Sequence, residues 1–393
     1  MMQDCGVMFE TYHAFSNKEA IRNQLEKYLV IENEKSQNFN SLIPIYNFQD
    51  YEEITQRVKI LFPDRRSIKA PILFFFKILF LLLLYTPLFY ISMCSDYHTF
   101  VRTVLAFISG ILWVSLGFNI MHDGSHYAIS KNPKINEFLE SLWNSFGLWN
   151  SFIWNLHHVY AHHSYTGNIK LDPDLKHFRP FAKKYREDFK GVKKYLTDVQ
   201  DKIITFAACV FPGMYVGQSI AYFIGVLRNT LWGIRLPKNF MSNLKWHEIF
   251  LMILSFYCYW RGLFLPTIFY FLAANIFYHL NIAGDHDTFE SSVENRDENT
   301  KNWTKMQICH SANFKNNSYL WTNLFGGINY QIELHLFPNM CHMNYPLIKP
   351  IIQKFCKEKE YPYVDHQDLW GMYLSFLKNM KFQSANEPKQ KIL

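Results

Sequence analysis

Apolar positions cluster in this chain into runs too long for a soluble core. Pro71–Ile91 and Phe100–Met121 are almost continuously apolar, and the turn between them, Ser92–Thr99, holds no Lys or Arg. Each run is long enough to cross a hydrocarbon layer of about 30 Å, so together they predict a helical hairpin. His122 then lies on the side of the membrane where the chain started. Lys77 interrupts the first run near one end, where its stem can reach the interface. Ile203–Leu227 predicts a third span, with Pro212 and Gly213 tolerated in a membrane helix. Arg261 and Gly262 divide the last apolar stretch, which predicts a tilted or interfacial lead followed by a crossing near residues 255–280. The expected fold is an all-α integral membrane protein with four transmembrane helices, near 71–91, 100–121, 203–227 and 255–280, under a polar helical cap.

The polar remainder sets the boundaries. Residues 1–70 read as a lead-in, with a weak helix at Asn17–Leu29 and a clearer amphipathic one at Asp50–Phe62. Residues 71–375 form the membrane domain and 376–393 a polar tail. Leu142–Leu156 is aromatic but too polar to span, and reads as interfacial. The start of the chain has no basic segment followed by an apolar core, so no signal peptide is expected. Lys131, Lys134, Lys170, Lys183, Lys184, Arg186, Lys193 and Lys194 crowd the segment after the hairpin. The positive-inside rule places that side, and both termini with it, in the cytosol.

Composition narrows the function. The net charge of +7 comes without a basic, aromatic-interleaved stripe, which argues against nucleic acid. The 7 cysteines are scattered and form no CxxC, which argues against a disulfide framework and a thiolate zinc site.

Histidine carries the candidate chemistry. WNLHHVYAHHSYTG (154–167) holds His157, His158, His162 and His163. His158 and His162 are four residues apart, and the spacing recurs in His122/His126, Asn275/His279 and Gln331/His335. On a helix each pair presents two donors on one face. The predicted topology puts all of them at one membrane surface. Asn275/His279 alone also reads as a helix–helix hydrogen bond, and Gln331/His335 as a solvated face. A shared site rich in nitrogen and poor in sulfur favours iron or another first-row metal. More than six imidazoles exceed one ion, so two ions are expected.

HDGSH, HHVYAHH and QIELHLFP resemble the three histidine boxes of the membrane fatty acid desaturases. Gln331 and the surrounding WNLHHVYAHHSYTGNIKLDPDL and LWTNLFGGINYQIELHLFPNMCHMNYP resemble the front-end branch, over roughly residues 45–380. The resemblance implies an oxygen-dependent enzyme with two irons in the endoplasmic reticulum membrane. It would desaturate a fatty acyl chain, carried by coenzyme A or lipid, with electrons from cytochrome b5 and its reductase. The implied metal ligands are His122, His126, His158, His162, His163, His279 and His335. His157, Asn275 and Gln331 would be weaker donors or supports. Asp123, Asp172 and Asp174 would orient imidazoles, unless they serve as turn or cap residues. Trp149, Trp154 and Tyr165 would line a substrate tunnel, unless they anchor at the interface.

Two departures from the family pattern stand out. Residues 1–70 hold no HPGG haem motif, so the electron donor is expected to be a separate protein. Leu334 stands where the family box has its first paired histidine. Leucine cannot ligate, so water, His342 or His310 would have to fill the position. Three readings therefore stay open: a front-end acyl desaturase; a sphingolipid desaturase or acyl hydroxylase of the same superfamily; and a catalytically impaired relative. The tail has Lys389 and Lys391 in the pattern of an endoplasmic reticulum retrieval signal.

Overall fold

The apolar hairpin forms as expected, and its composition explains how it sits. In the computed structural model, residues 5–16, 19, 21, 46–146, 151–168, 171–175, 190–210, 230–231, 234–235, 245–262, 264–293 and 301–384 are described. The helices that matter are α1 (Cys5–Tyr12), α2 (Gln49–Lys59), α3 (Ile72–Cys94), α4 (Thr99–Leu116), α5 (Pro133–Phe146), α6 (Gln200–Val210), α7 (Trp246–Arg261), α8 (Phe264–Asp285), α9 (Trp303–Cys309), α10 (Gln331–Leu336), α11 (Tyr345–Lys359) and α12 (Leu369–Ser384).

α3 is apolar on every side, as a helix surrounded by lipid and protein must be. It buries Phe74, Leu81, Tyr85 and Phe89, and leaves Phe76, Phe80 and Leu83 exposed. α4 packs against both α3 and α8. At Gly110 a Cβ would overlap the carbonyl of Tyr270. The α4 and α8 backbones therefore touch, as small residues permit between membrane helices. Among the described residues, three helical segments are long and apolar enough to cross a membrane: Ile72–Cys94, Thr99–Ser125 and Phe264–Asp285.

The last apolar stretch corrects the expectation. It breaks at Gly262 into two antiparallel helices, and α8 runs past His279 to Asp285. α7 begins beside α5, where His247 Nε2 lies 3.0 Å from Ser141 Oγ. It ends beside the hairpin turn, where Cys258 Sγ lies 3.9 Å from Cys94 Sγ. Buried Arg102 closes that end by donating to the carbonyls of Ser92, Met93, Arg261 and Gly262 at 3.0–3.3 Å. These carbonyls follow or end helices and lack intrahelical partners, so the guanidinium satisfies them. Of the expected span 203–227, α6 covers the start, and residues 211–227 lie outside those described. The described part of α6 is tied to α12 through Gln200 Nε2 to Met380 O at 2.8 Å.

Opposite Arg102, α9–α12 and the preceding loops form the cap. Trp303, Tyr51 and Phe337 pack ring on ring beneath α2. The loop before α10 presses on the end of α4. Gly326 and Gly327 have φ of +58° and +77°, and a Cβ on either would collide with Phe118 or His342. Only glycine tolerates both conditions. α1, expected to be part of a polar lead-in, instead packs onto the cap with Val7, Ala14 and Phe15 buried.

Candidate metal centre

Local helix geometry brings the histidines together. α4 continues as a π-helical segment, Gly117–His122, and a second π segment, Asn155–His162, carries the four-histidine stretch. In an α-helix of 3.6 residues per turn, His163 would point well away from His158. Here the His163 N–H bonds His158 O, five residues back. That wider turn puts His162 and His163 on the same side as His158, and π segments of this kind are frequent at functional sites.

Two groups of imidazoles result. His122, His126 and His158 offer nitrogens within 4.8 Å of one another, and so do His162, His286 and His335. His163 joins them. Its Nε2 is 3.3 Å from His158 Nε2, and its ring stacks on His335 at 4.2 Å between centroids. His122 Nε2 lies 3.2 Å from His158 Nε2. Gln331, one turn before His335, sets its amide 2.8 Å from His286 Nε2 and 3.2 Å from His335 Nε2. A half-turn of the amide presents Oε1 there instead.

Hydrogen bonds on the outer nitrogens fix which way the lone pairs point. His162 Nδ1 donates to Asp172 Oδ1 at 3.1 Å. His335 Nδ1 donates to Gln307 Oε1 at 2.7 Å, and His286 Nδ1 to His310 O at 2.7 Å. A neutral imidazole has one N–H, so each Nε2 here is a bare lone pair. Yet His162 Nε2 and His286 Nε2 face each other at 3.1 Å. Two lone pairs at that distance repel unless a cation lies between them. Nitrogens bound to one ion by bonds of about 2.0–2.1 Å sit roughly 3 Å apart. In addition, His122 Nδ1, His126 Nε2 and His163 Nδ1 are buried with no hydrogen-bond partner. The residues fit a pair of metal ions.

Burial, followed by neighbouring imidazoles, holds His126, His158, His163 and His335 well below the usual histidine range. Burial, with His162 next, holds His286 down to about 3. Neutral imidazole is the form that binds metal.

The remaining expected residues fall into place around these groups. His157 Nε2 lies 2.8 Å from Asp174 Oδ1, and Asp174 Oδ2 is 3.4 Å from His162 Nδ1. Trp154 stacks on His158 with centroids 4.3 Å apart, so it forms a wall of the site. Tyr165 is fully buried, and Trp149 lies outside the described residues. Asp123 turns away from the two groups and accepts from His342 Nδ1 at 2.8 Å, while Lys77 Nζ meets His342 Nε2 at 2.6 Å. The suggested substitutes for the missing histidine are thus engaged elsewhere: His342 lies between Asp123 and Lys77, and His310 Nδ1 lies 3.4 Å from Ser291 O. Leu334 is buried in the apolar core.

Asn275 and His279 are the main correction. Their expected role rests on the i,i+4 spacing and on the family resemblance. In the structure Asn275 Nδ2 donates to Cys209 O at 3.3 Å, and His279 Nε2 lies 3.1 Å from the Tyr373 hydroxyl. They join α8 to α6 and α12. The imidazole α8 brings to the site is His286, just beyond its last turn. The i,i+4 rule missed it because Ile282 stands four residues before it. The signal available was the local AGDHDTF, a histidine between two acids at the end of a membrane helix.

Fold and donor set define a class: a membrane helical bundle whose one end is a buried multi-histidine metal-binding centre. The fatty acid desaturase family matches residues 98–367, and the chain belongs to that family. Three relatives align along most of its length. An acyl-lipid (8-3)-desaturase of Mortierella alpina is 26% identical over 96% of this chain and 86% of its own. An acyl-lipid (8-3)-desaturase of Physcomitrium patens is 24% identical over 96% and 81%. A probable Delta(5) fatty acid desaturase of Dictyostelium discoideum is 26% identical over 96% and 85%. The chain is accordingly an oxidoreductase, a fatty acid desaturase.

Proposed function

We propose that this protein is a front-end acyl desaturase with two irons, inserting a cis double bond between an existing one and the carboxyl end of the chain. The observation that carries the reading is the pair of imidazole groups at one end of membrane helices, with the lone pairs of His162 and His286 opposed. His122, His126, His158 and His163 would hold one iron. His162, His286, His335 and Gln331 would hold the other. Bound iron supplies the oxygen-derived oxidant that an unactivated C–H bond requires, since no side chain can abstract such a hydrogen.

The protein supplies geometry and exclusion of water. Asp172, Gln307 and the His310 carbonyl keep three imidazoles in the tautomer that points Nε2 inward. Trp154 and the buried Tyr165 wall the site on the side of the second box. The overall change is balanced when one O2, two electrons and two protons remove two hydrogens from adjacent carbons and leave two waters. A separate cytochrome b5 with its reductase would deliver the electrons. α7 would be the fourth crossing, paired with α8. The metal end and both termini would face the cytosol from the endoplasmic reticulum membrane. His286 counts against the impaired-enzyme reading, because it keeps the donor set at seven imidazoles without His279.

The test is expression in a host that makes no polyunsaturates, fed candidate acids, with lipid chromatography. The expected result is a new cis double bond on the carboxyl side of an existing one. A hydroxylated product, or no product with both irons bound, would overturn the reading.

A further inference from the structure

α1 does more than cover apolar surface, because its last residue reaches the metal centre. The Tyr12 hydroxyl lies 3.0 Å from His126 Nδ1, across 114 residues of sequence. His126 Nε2 is buried with no hydrogen-bond partner, and His126 belongs to the group with His122 and His158. For Nε2 to present a lone pair, the imidazole proton must sit on Nδ1, and the phenol oxygen is the atom placed to accept it. Asp172, Gln307 and the His310 carbonyl serve His162, His335 and His286 in the same way.

The backbone and ring of Tyr12 are held from several sides. Asn339 Nδ2 donates to the Tyr12 carbonyl at 3.0 Å. Asn339 lies just past the third box, and its own carbonyl accepts from Lys69 Nζ at 2.9 Å. Lys69 Nζ also donates to Tyr127 O at 2.7 Å. Tyr127, directly after His126, has φ of +55°, a left-handed conformation uncommon for a bulky residue. Its ring meets Tyr12 edge to face at 6.2 Å. Strain of this kind persists only where the surroundings over-determine it. Phe15 on Phe337, 5.7 Å between centroids, anchors the segment from behind.

We propose that Tyr12 is a positioning residue of the metal centre: its hydroxyl accepts the Nδ1–H of His126 and aims Nε2 at the ion shared with His122 and His158. The N-terminal segment thereby straps the first histidine box to the third. This rests on the two-iron reading above.

The test uses the full-length protein in lipid nanodiscs, loaded with iron, in wild-type, Tyr12→Phe and Phe15→Ala forms. Iron retention against a graded chelator and the Mössbauer spectrum are both read, with melting of the metal-free protein as control. Tyr12→Phe keeps the ring and removes only the oxygen. It should release one of the two irons about 10–100-fold more readily, the range typical for partners of metal-bound histidines. One Mössbauer doublet should shift while the other stays, and metal-free melting should not change. Phe15→Ala should lower metal-free melting without that spectral shift. Wild-type affinity and an unchanged spectrum in Tyr12→Phe overturn the proposal alone. Equal behaviour of the two variants, with lowered melting, also overturns it in favour of packing. Wild-type protein that binds no iron overturns this proposal and the two-iron reading together.

Discussion

His286 and His279 sit two helical turns apart on one element, and only His286 faces other imidazoles. His286→Ala is expected to abolish desaturation and release one iron, with the protein still in the membrane. His279→Ala is expected to keep both irons while losing its bond to Tyr373; metal analysis of the two variants checks this. His162→Ala should behave like His286→Ala. Asp172→Asn should weaken iron binding about 10–100-fold, because a carboxylate that orients a ligating imidazole is lost. The pH dependence follows from the depressed histidines. Their folded values lie below the ordinary value of about 6.5, so their contribution to metal-free stability is present above pH 6.5 and is lost as pH falls towards the folded values. Denaturation of metal-free protein should therefore become easier below about pH 6.5, and iron should leave over the same range; a flat profile from pH 7 to 4 would contradict it. His122, His126, His158, His162 and His335, which the fold brings together, are marked in the sequence because each has a polar partner four residues away. His286 and Tyr12 are not, because no local period marks them.

The elements were legible where apolar runs were long. α3, α4 and α8 follow from length and composition alone; the division at Arg261 and Gly262 is legible too, but not that the lead before it is a separate helix, α7, running antiparallel to α8. The π segments were not legible, since their wider turn depends on what the histidines meet in space. Without that turn His163 would leave the site. Gly326 and Gly327 show a tertiary demand of the same kind, set by Phe118 and His342. Gly327→Ala is expected to destabilise the fold by about 1–3 kcal/mol, from positive φ plus overlap with His342. Thermal melting in detergent checks this, and an unchanged midpoint would mean the loop is placed differently.

At the scale of the molecule, one end of the bundle is closed by Arg102 on helix-end carbonyls and the other by imidazoles. That polarity is foreseeable from the short turn between the first two spans, because a hairpin returns His122 to the side where the chain started. The closure by residues as far apart as Tyr12, His126, His286 and His335 is not, since pattern along a chain does not report contact across it. Seven imidazoles crowd the metal-free end, and the opposed lone pairs of His162 and His286 make it electrostatically unfavourable. Metal removal should lower the melting temperature and open the cap to protease. By mass action, free metal at 100 times its dissociation constant adds about 2.7 kcal/mol per site.

The most direct test is an anomalous difference map collected at the iron edge on crystals of the full-length protein. Two peaks should appear, one among His122, His126 and His158 and one among His162, His286 and His335. No peak, or a peak at His279 in place of His286, would contradict the account.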